Sequence, residues 1–71
     1  MRITYDERTD TLNVRLKETP SYESAEVKQG VLLDYDHKGN LIAIEILDAS
    51  EYLSGDELAS LTNNVEKAIA R

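Results

Sequence analysis

Apolar and polar residues alternate over two short segments near the start of the chain. Ile3 and Tyr5 hold every second position in the first segment, and Leu12 and Val14 do so in the second. A period of two is typical of a β-strand with one buried face. Because turn-forming polar residues separate the segments, residues 1–17 predict a β-hairpin in which Tyr5 faces Leu12 and Ile3 faces Val14.

The same alternation returns over residues 30–47, where it is clearest. Both apolar sets can share a face only in certain registers. A four-residue loop at 36–39 satisfies this requirement by placing Leu33 opposite Ile42, and it puts Gly39 where a positive φ is needed. This segment therefore predicts a second hairpin.

Residues 18–29 carry the weakest pattern. Pro20 has no backbone N–H and disfavours a central strand. We expect a crossover between the hairpins, in which residues 22–27 form either a short edge strand or an ordered loop.

The last segment has helical periodicity and a clear start. Ser54 and Glu57 fit a capping box, and Leu53 and Leu58 have the spacing of a hydrophobic staple. A helix is predicted over 54–70. Its apolar stripe, at a spacing of 3.6 residues, comprises Leu58, Leu61, Val65, Ala68 and Ile69.

These elements predict a single α+β domain, residues 1–71, in which two antiparallel β-hairpins form one sheet. The C-terminal amphipathic helix packs on one face of that sheet. The predicted core comprises Ile3, Tyr5, Leu12, Val14, Leu16, Val31, Leu33, Tyr35, Ile42, Ile44, Ile46, Leu58, Leu61, Val65 and Ile69.

Composition narrows the possible functions. The chain has 71 residues, no cysteine and a net charge of −6. The missing cysteines exclude disulfides and thiolate zinc sites, and are consistent with a reducing cytoplasm. The negative charge disfavours direct contact with nucleic acid or membrane surfaces and favours a basic protein partner. We expect a cytoplasmic protein without a signal peptide or membrane span.

One segment resembles a calcium-binding loop. Asp34, Asp36, Gly39 and Glu45 fall at positions one, three, six and twelve of that pattern, but Lys38 occupies position five, where an oxygen ligand is needed. Strand alternation also continues on both sides, so a turn with solvated acids is the preferred interpretation.

No residue pattern predicts catalysis. His37 is the single histidine and falls at a turn tip, where partners for a general base are scarce. We therefore expect no catalytic residues, no cofactor and no metal. The alternative from a different class is a small enzyme or divalent-cation binder that uses Asp34, Asp36 and Glu45.

The predicted register leaves leucines on the face away from the helix, with Leu32 across from Ala43 and Leu41 across from Asp34. A contiguous apolar patch is typical of a protein interface. We expect a homodimer through this outer face, unless residues 18–29 or 48–53 fold over it. The candidate interface comprises Leu32, Leu41, Ala43 and Leu47.

Several runs also resemble a known family. They are Ile3-Thr4-Tyr5-Asp6, Asp10-Thr11-Leu12, Gly30-Val31-Leu32-Leu33-Asp34-Tyr35-Asp36, Gly39-Asn40-Leu41-Ile42 and Ile44-Glu45-Ile46-Leu47-Asp48-Ala49-Ser50. Their order and spacing resemble the domain of unknown function 2283 family of small prokaryotic proteins, over roughly residues 1–50. The resemblance implies no assigned activity and no catalytic residues. It also implies a hypothesis: an antitoxin-like role beside a small basic protein.

Overall fold

The computed structural model describes residues 1–69, with side chains described for residues 1–62. It is an α+β fold of one antiparallel sheet and one long helix. The elements are β1 Arg2–Asp6, β2 Thr11–Arg15, β3 Glu23–Lys28, β4 Val31–Tyr35, β5 Leu41–Leu47, a short 3-10 helix Ala49–Glu51 and α1 Gly55–Ile69.

The first hairpin follows the sequence prediction. β1 and β2 are antiparallel, with Tyr5 opposite Leu12 and Ile3 opposite Val14. The sheet order is β1-β2-β5-β4-β3, so the chain crosses from β2 past β5 and β4 before it forms β3. The predicted crossover is therefore present, and it leads into an edge strand, which was one of the two alternatives expected at 22–27.

The edge strand changes the hairpin count. β3 pairs antiparallel with β4, which pairs antiparallel with β5. The second half of the sheet is therefore a meander of three strands rather than an isolated hairpin.

The predicted register of the second hairpin is wrong. Leu33 lies opposite Ile44 rather than Ile42, and Tyr35 lies opposite Leu41, with a register shift between these two pairs. The turn spans residues 36–40, because the N–H of Asp36 donates to the carbonyl of Asn40 at 3.0 Å. A longer turn and a bulge together displace the pairing by two residues, which keeps the same side chains of β4 on the same face.

The helix begins as predicted. The Glu57 N–H donates to Ser54 Oγ at 3.1 Å, and the Ser54 N–H donates to Glu57 Oε1 at 2.9 Å, which completes the capping box. Leu53 packs against the cluster that contains Leu58, as expected for a hydrophobic staple. The helix contacts mainly β1.

The core is smaller than predicted. Ile42 is fully buried, and Ile3, Leu12 and Leu58 are nearly so, but Leu16 and Leu61 are each 37% exposed. The predicted stripe residues Val65, Ala68 and Ile69 have side chains outside the described residues. The prediction missed four buried residues: Ala43, Ala49, Asp34 and Asp36. Within residues 1–69, no helix is long and apolar enough to span a membrane.

Candidate functional site

The two faces of the sheet differ in what covers them. Leu58 of α1 clusters with Ile3 and Leu12, so these residues mark the helix face. Cross-strand partners share a face. Through Val14 and Ile44, the helix face therefore continues across β5 to the strands that lie far from the helix.

An apolar surface on the helix face remains partly exposed beyond the helix. We call it the open patch and define it as Ala25, Val31, Leu33 and Ile44. Leu33 lies between Ala25 on one side and Ile44 on the other, and Val31 is two residues away along β4. All four side chains are only half-buried. These side chains point to the face on which α1 packs, but α1 covers that face only on the side of β1.

The opposite, outer face does not carry the contiguous apolar patch that the predicted register implied. Of the candidate interface residues, Leu32 is half-buried, Leu47 is 39% exposed and Ala43 is completely buried. Leu41 pairs with Tyr35, whose side chain alternates onto the helix face with that of Leu33. The bulge thus separates Leu41 from the other three, and the four do not form one contiguous apolar surface.

The crossover lies against one end of the outer face. Arg15 donates from Nη1 to the carbonyl oxygens of Lys17 and Thr19, at 3.3 and 3.5 Å. Arg2, directly across from Arg15, forms an ion pair with Glu18 at 3.0 Å. Residues 17–19 therefore provide part of the intrachain cover that the sequence left as an alternative to a dimer.

A carboxylate network ties the first turn to the 3-10 helix. Asp10 Oδ1 accepts a 2.6 Å bond from the Tyr5 hydroxyl and a 3.0 Å bond from the Ser50 N–H. Asp10 Oδ2 accepts a 2.6 Å bond from the Ser50 hydroxyl, while the Asp10 carbonyl accepts from the Ala49 N–H. Asp10 has a φ of 55°, a conformation that Asp tolerates better than most residues.

The pKa shifts in this network favour a structural role over activation of Ser50 as a nucleophile. Its hydrogen bonds from Ser50 and then Tyr5 lower the pKa of Asp10, which makes that carboxylate a weak base. The bond to Asp10 raises the pKa of Tyr5 to about 12. A serine activated for attack needs a base with a pKa near neutrality, and neither neighbour of Ser50 in the network supplies one.

The structure does not bring Asp34, Asp36 and Glu45, the three acids of the alternative hypothesis, into one site. Asp36 accepts bonds at 2.9 Å from the N–H groups of Lys38 and Asn40, so it closes its own turn. The bond from the Asn40 N–H is the largest cause that lowers the pKa of Asp36. Among the described residues, no group of three or more His, Cys, Asp or Glu is placed to hold a metal ion.

Asp34 and Glu45 do meet, on the outer face. Asp34 is 4% exposed and accepts a hydrogen bond from the Ser24 hydroxyl. Burial, followed by a hydrogen bond with Asp34, raises the pKa of Glu45. The predicted register of the second hairpin did not bring these two acids together, because they become neighbours only in the observed register.

His37 lies exposed at the turn, as expected. Its ring is tilted by 34° against that of Tyr22, with centroids 3.9 Å apart. This contact joins the end of the crossover to the turn.

Comparison with known proteins identifies a family and nothing finer. The model described as "Protein of unknown function (DUF2283)" matches residues 2–50. No curated protein and no solved structure matches the chain. The matched range contains all five strands, Asp10, Ser50 and the Asp34–Glu45 pair, whereas α1 lies outside it. The chain therefore belongs to the DUF2283 family.

Proposed function

We propose that this protein is a non-enzymatic protein-interaction module that docks through the open patch. The observation that carries the proposal is the partial exposure of Ala25, Val31, Leu33 and Ile44 on the helix face. Half-buried aliphatic side chains that adjoin one another on a single face favour a protein contact.

The dimensions of the elements explain why one helix leaves this surface open. A helix is roughly 10 Å wide with its side chains, and neighbouring strands are about 4.8 Å apart. One helix therefore covers about two strands, and this sheet has five. Because α1 contacts mainly β1, the uncovered strands are those at the other side of the sheet.

A second copy of the chain suits the patch because the charges at its edge are self-complementary. Glu23 lies across from Tyr35 at one end of β3, and Lys28 lies across from Val31 at the other end. Both charged residues are exposed. A two-fold axis that reverses the strand direction places Glu23 of one copy beside Lys28 of the other, as an isologous interface requires.

A pair of neighbouring substitutions tests the docking surface. Leu33→Lys places a charge in the open patch, whereas Leu32→Lys places the same charge on the outer face of the same strand. We expect light scattering after size-exclusion chromatography to give an oligomeric parent, an oligomeric Leu32→Lys variant and a monomeric Leu33→Lys variant. Circular dichroism checks that both variants are folded.

Two results contradict this docking surface. A monomeric parent at hundreds of micromolar would rule out self-association. If Leu32→Lys dissociates the oligomer and Leu33→Lys does not, the interface is the outer face that the sequence alone favoured.

Charge reversal tests the orientation of the two copies. Glu23→Lys should weaken the dimer, because two lysines then face each other across the two-fold axis. The double variant Glu23→Lys, Lys28→Glu should restore it. The reversed-direction dimer is wrong if the double variant is weaker than Glu23→Lys alone.

A second candidate is an antitoxin-like role, in which the same patch covers a small basic protein. The net charge of −6 supports this proposal, since acidic proteins attract basic partners. Affinity purification of the tagged parent and the Leu33→Lys variant from the native host, read by mass spectrometry, tests it. A basic protein retained by the parent and lost from the variant is expected. Equal recovery by both would contradict the proposal.

A further inference from the structure

The outer face holds two neighbouring carboxyl groups, on adjacent strands inside the sheet. Asp34 lies on β4 directly across from Ala43, and Glu45 follows Ala43 by two residues on β5. The two acids are therefore diagonal neighbours, a spacing that long side chains bridge. Ala43 between them is fully buried and too small to hold them apart.

Contact between two carboxyl groups has a chemical requirement. Ionised carboxylates only accept hydrogen bonds, so a hydrogen bond between two of them needs a proton on one. Two negative charges at such short range repel, and this repulsion favours the singly protonated pair. The Ser24 hydroxyl donates to Asp34, and the hydrogen bond with Asp34 raises the pKa of Glu45, so we assign the proton of the pair to Glu45.

The surrounding charges do not remove this requirement. Arg15 on β2 is the cation that lowers the pKa of Glu45, but the effects of burial and Asp34 are larger. The Arg15 guanidinium also donates to carbonyl oxygens of the crossover. On β1, Arg2 is paired with Glu18, and on β3, Glu26 accepts from the Gly30 N–H. The direct β2 partner of Glu45 is the neutral Asn13.

We propose that Asp34 and Glu45 share a single proton, which joins β4 to β5 across the outer face and acts as a pH-sensitive latch. The latch is closed while the proton is present. When the proton leaves, both carboxyl groups are ionised. Their repulsion then weakens the pairing of β4 with β5. The latch stands whether or not the open patch binds a partner.

The sign of the pH dependence follows from linkage. The folded state raises the pKa of Glu45 above its ordinary 4.5, so it binds this proton more tightly than the unfolded chain does. The stabilisation is full below that ordinary value. It is lost as the pH rises through the pKa of the folded pair.

The direct test is carbon-detected NMR titration of side-chain carboxyl groups. We expect the midpoint for Glu45 to lie above that of Glu23, an exposed glutamate on β3. In the Asp34→Asn variant the amide donates to an ionised Glu45, so the midpoint should fall. A parent midpoint equal to that of Glu23, or one unchanged in Asp34→Asn, would overturn the proposal.

A stability measurement with a matched control gives an independent readout. Glutamine at position 45 donates the same bond to Asp34 at every pH. Relative to the parent, Glu45→Gln should therefore gain urea resistance as the pH rises from 5 to 8. Glu23→Gln removes the same charge from an exposed site and should give a pH-independent difference. Parallel pH profiles for Glu45→Gln and Glu23→Gln would overturn the latch.

Discussion

The half of the sheet formed by β1 and β2 and the half formed by β3 and β4 have the same alternation but different cover. Ile3 and Leu12 in the first half are 6% and 3% exposed. Leu33 and Val31 in the second half point to the same face and are only half-buried. The difference lies outside the strands: α1 and the 3-10 helix pack on the first half. An apolar alternation therefore predicts which face a residue is on, but not whether the chain itself covers that face.

The largest expected effect compares matched leucines in the two halves. Leu12→Ala should lower the free energy of unfolding by about 2–5 kcal/mol, because it opens a cavity in a closed core. Leu33→Ala should cost roughly 1 kcal/mol, since part of that side chain already contacts water. Urea unfolding of dilute, monomeric protein measures both. Equal losses would mean that the two halves are covered alike.

The helix provides the next comparison. Leu58 is 4% exposed and Leu61 is 37% exposed, although both lie on the predicted apolar stripe. Leu58→Ala should cost about 2–5 kcal/mol and Leu61→Ala under about 1 kcal/mol, by urea unfolding. The docking of α1 on β1 would be wrong if Leu61→Ala cost more than Leu58→Ala.

A substitution at Ser50 tests the hydrogen bonds that join the 3-10 helix to the turn between β1 and β2. Ser50→Ala removes one 2.6 Å bond to Asp10 but keeps the backbone bond from its own N–H. We expect a loss of about 0.5–1.5 kcal/mol in the free energy of unfolding, the usual contribution of one hydrogen bond. Ser21→Ala, at an exposed site in the crossover, is the control and should have little effect.

The smallest expected effect is on how the stability of the Ser50→Ala variant changes at acid pH. The hydrogen bonds from Ser50 hold the pKa of Asp10 below its ordinary 3.8, so the folded state favours the ionised form. This stabilisation is present above the unfolded pKa and is lost as the pH falls through the lower, folded pKa. Between pH 5 and pH 2.5, the urea midpoint of Ser50→Ala should fall less steeply than that of the parent. A steeper fall would show that Ser50 does not stabilise the ionised Asp10.

Much of the fold can be predicted from local pattern. The register of the first hairpin follows from the alternation of Ile3, Tyr5, Leu12 and Val14 together with the four-residue loop at 7–10, which selects one of the pairings that keep all four on one face. The capping box of Ser54 and Glu57 likewise identifies the start of α1 without tertiary information.

The remaining features depend on contacts between distant residues. No local residue pattern predicts the bulge beside Ile42. That bulge changes the cross-strand partners of Leu41 and Leu33. Asp10 and Ser50 are far apart in the sequence and meet only after the 3-10 helix folds against the first turn. The same bulge separates Leu41 from the other candidate interface residues, Leu32, Ala43 and Leu47. Which face stays open depends on where α1 docks, and the apolar stripe does not specify that position.

The open patch on β3, β4 and β5 can be measured directly with a dissolved paramagnetic probe and methyl NMR. In dilute protein, the account predicts strong attenuation of the Leu33 and Val31 methyl signals and weak attenuation of those of Leu12 and Ile3. At concentrations where the protein associates, Leu33 and Val31 should become protected while Leu32 stays accessible. Equal attenuation of Leu33 and Leu12 in dilute protein, or attenuation of Leu33 that does not change on association, would contradict the account.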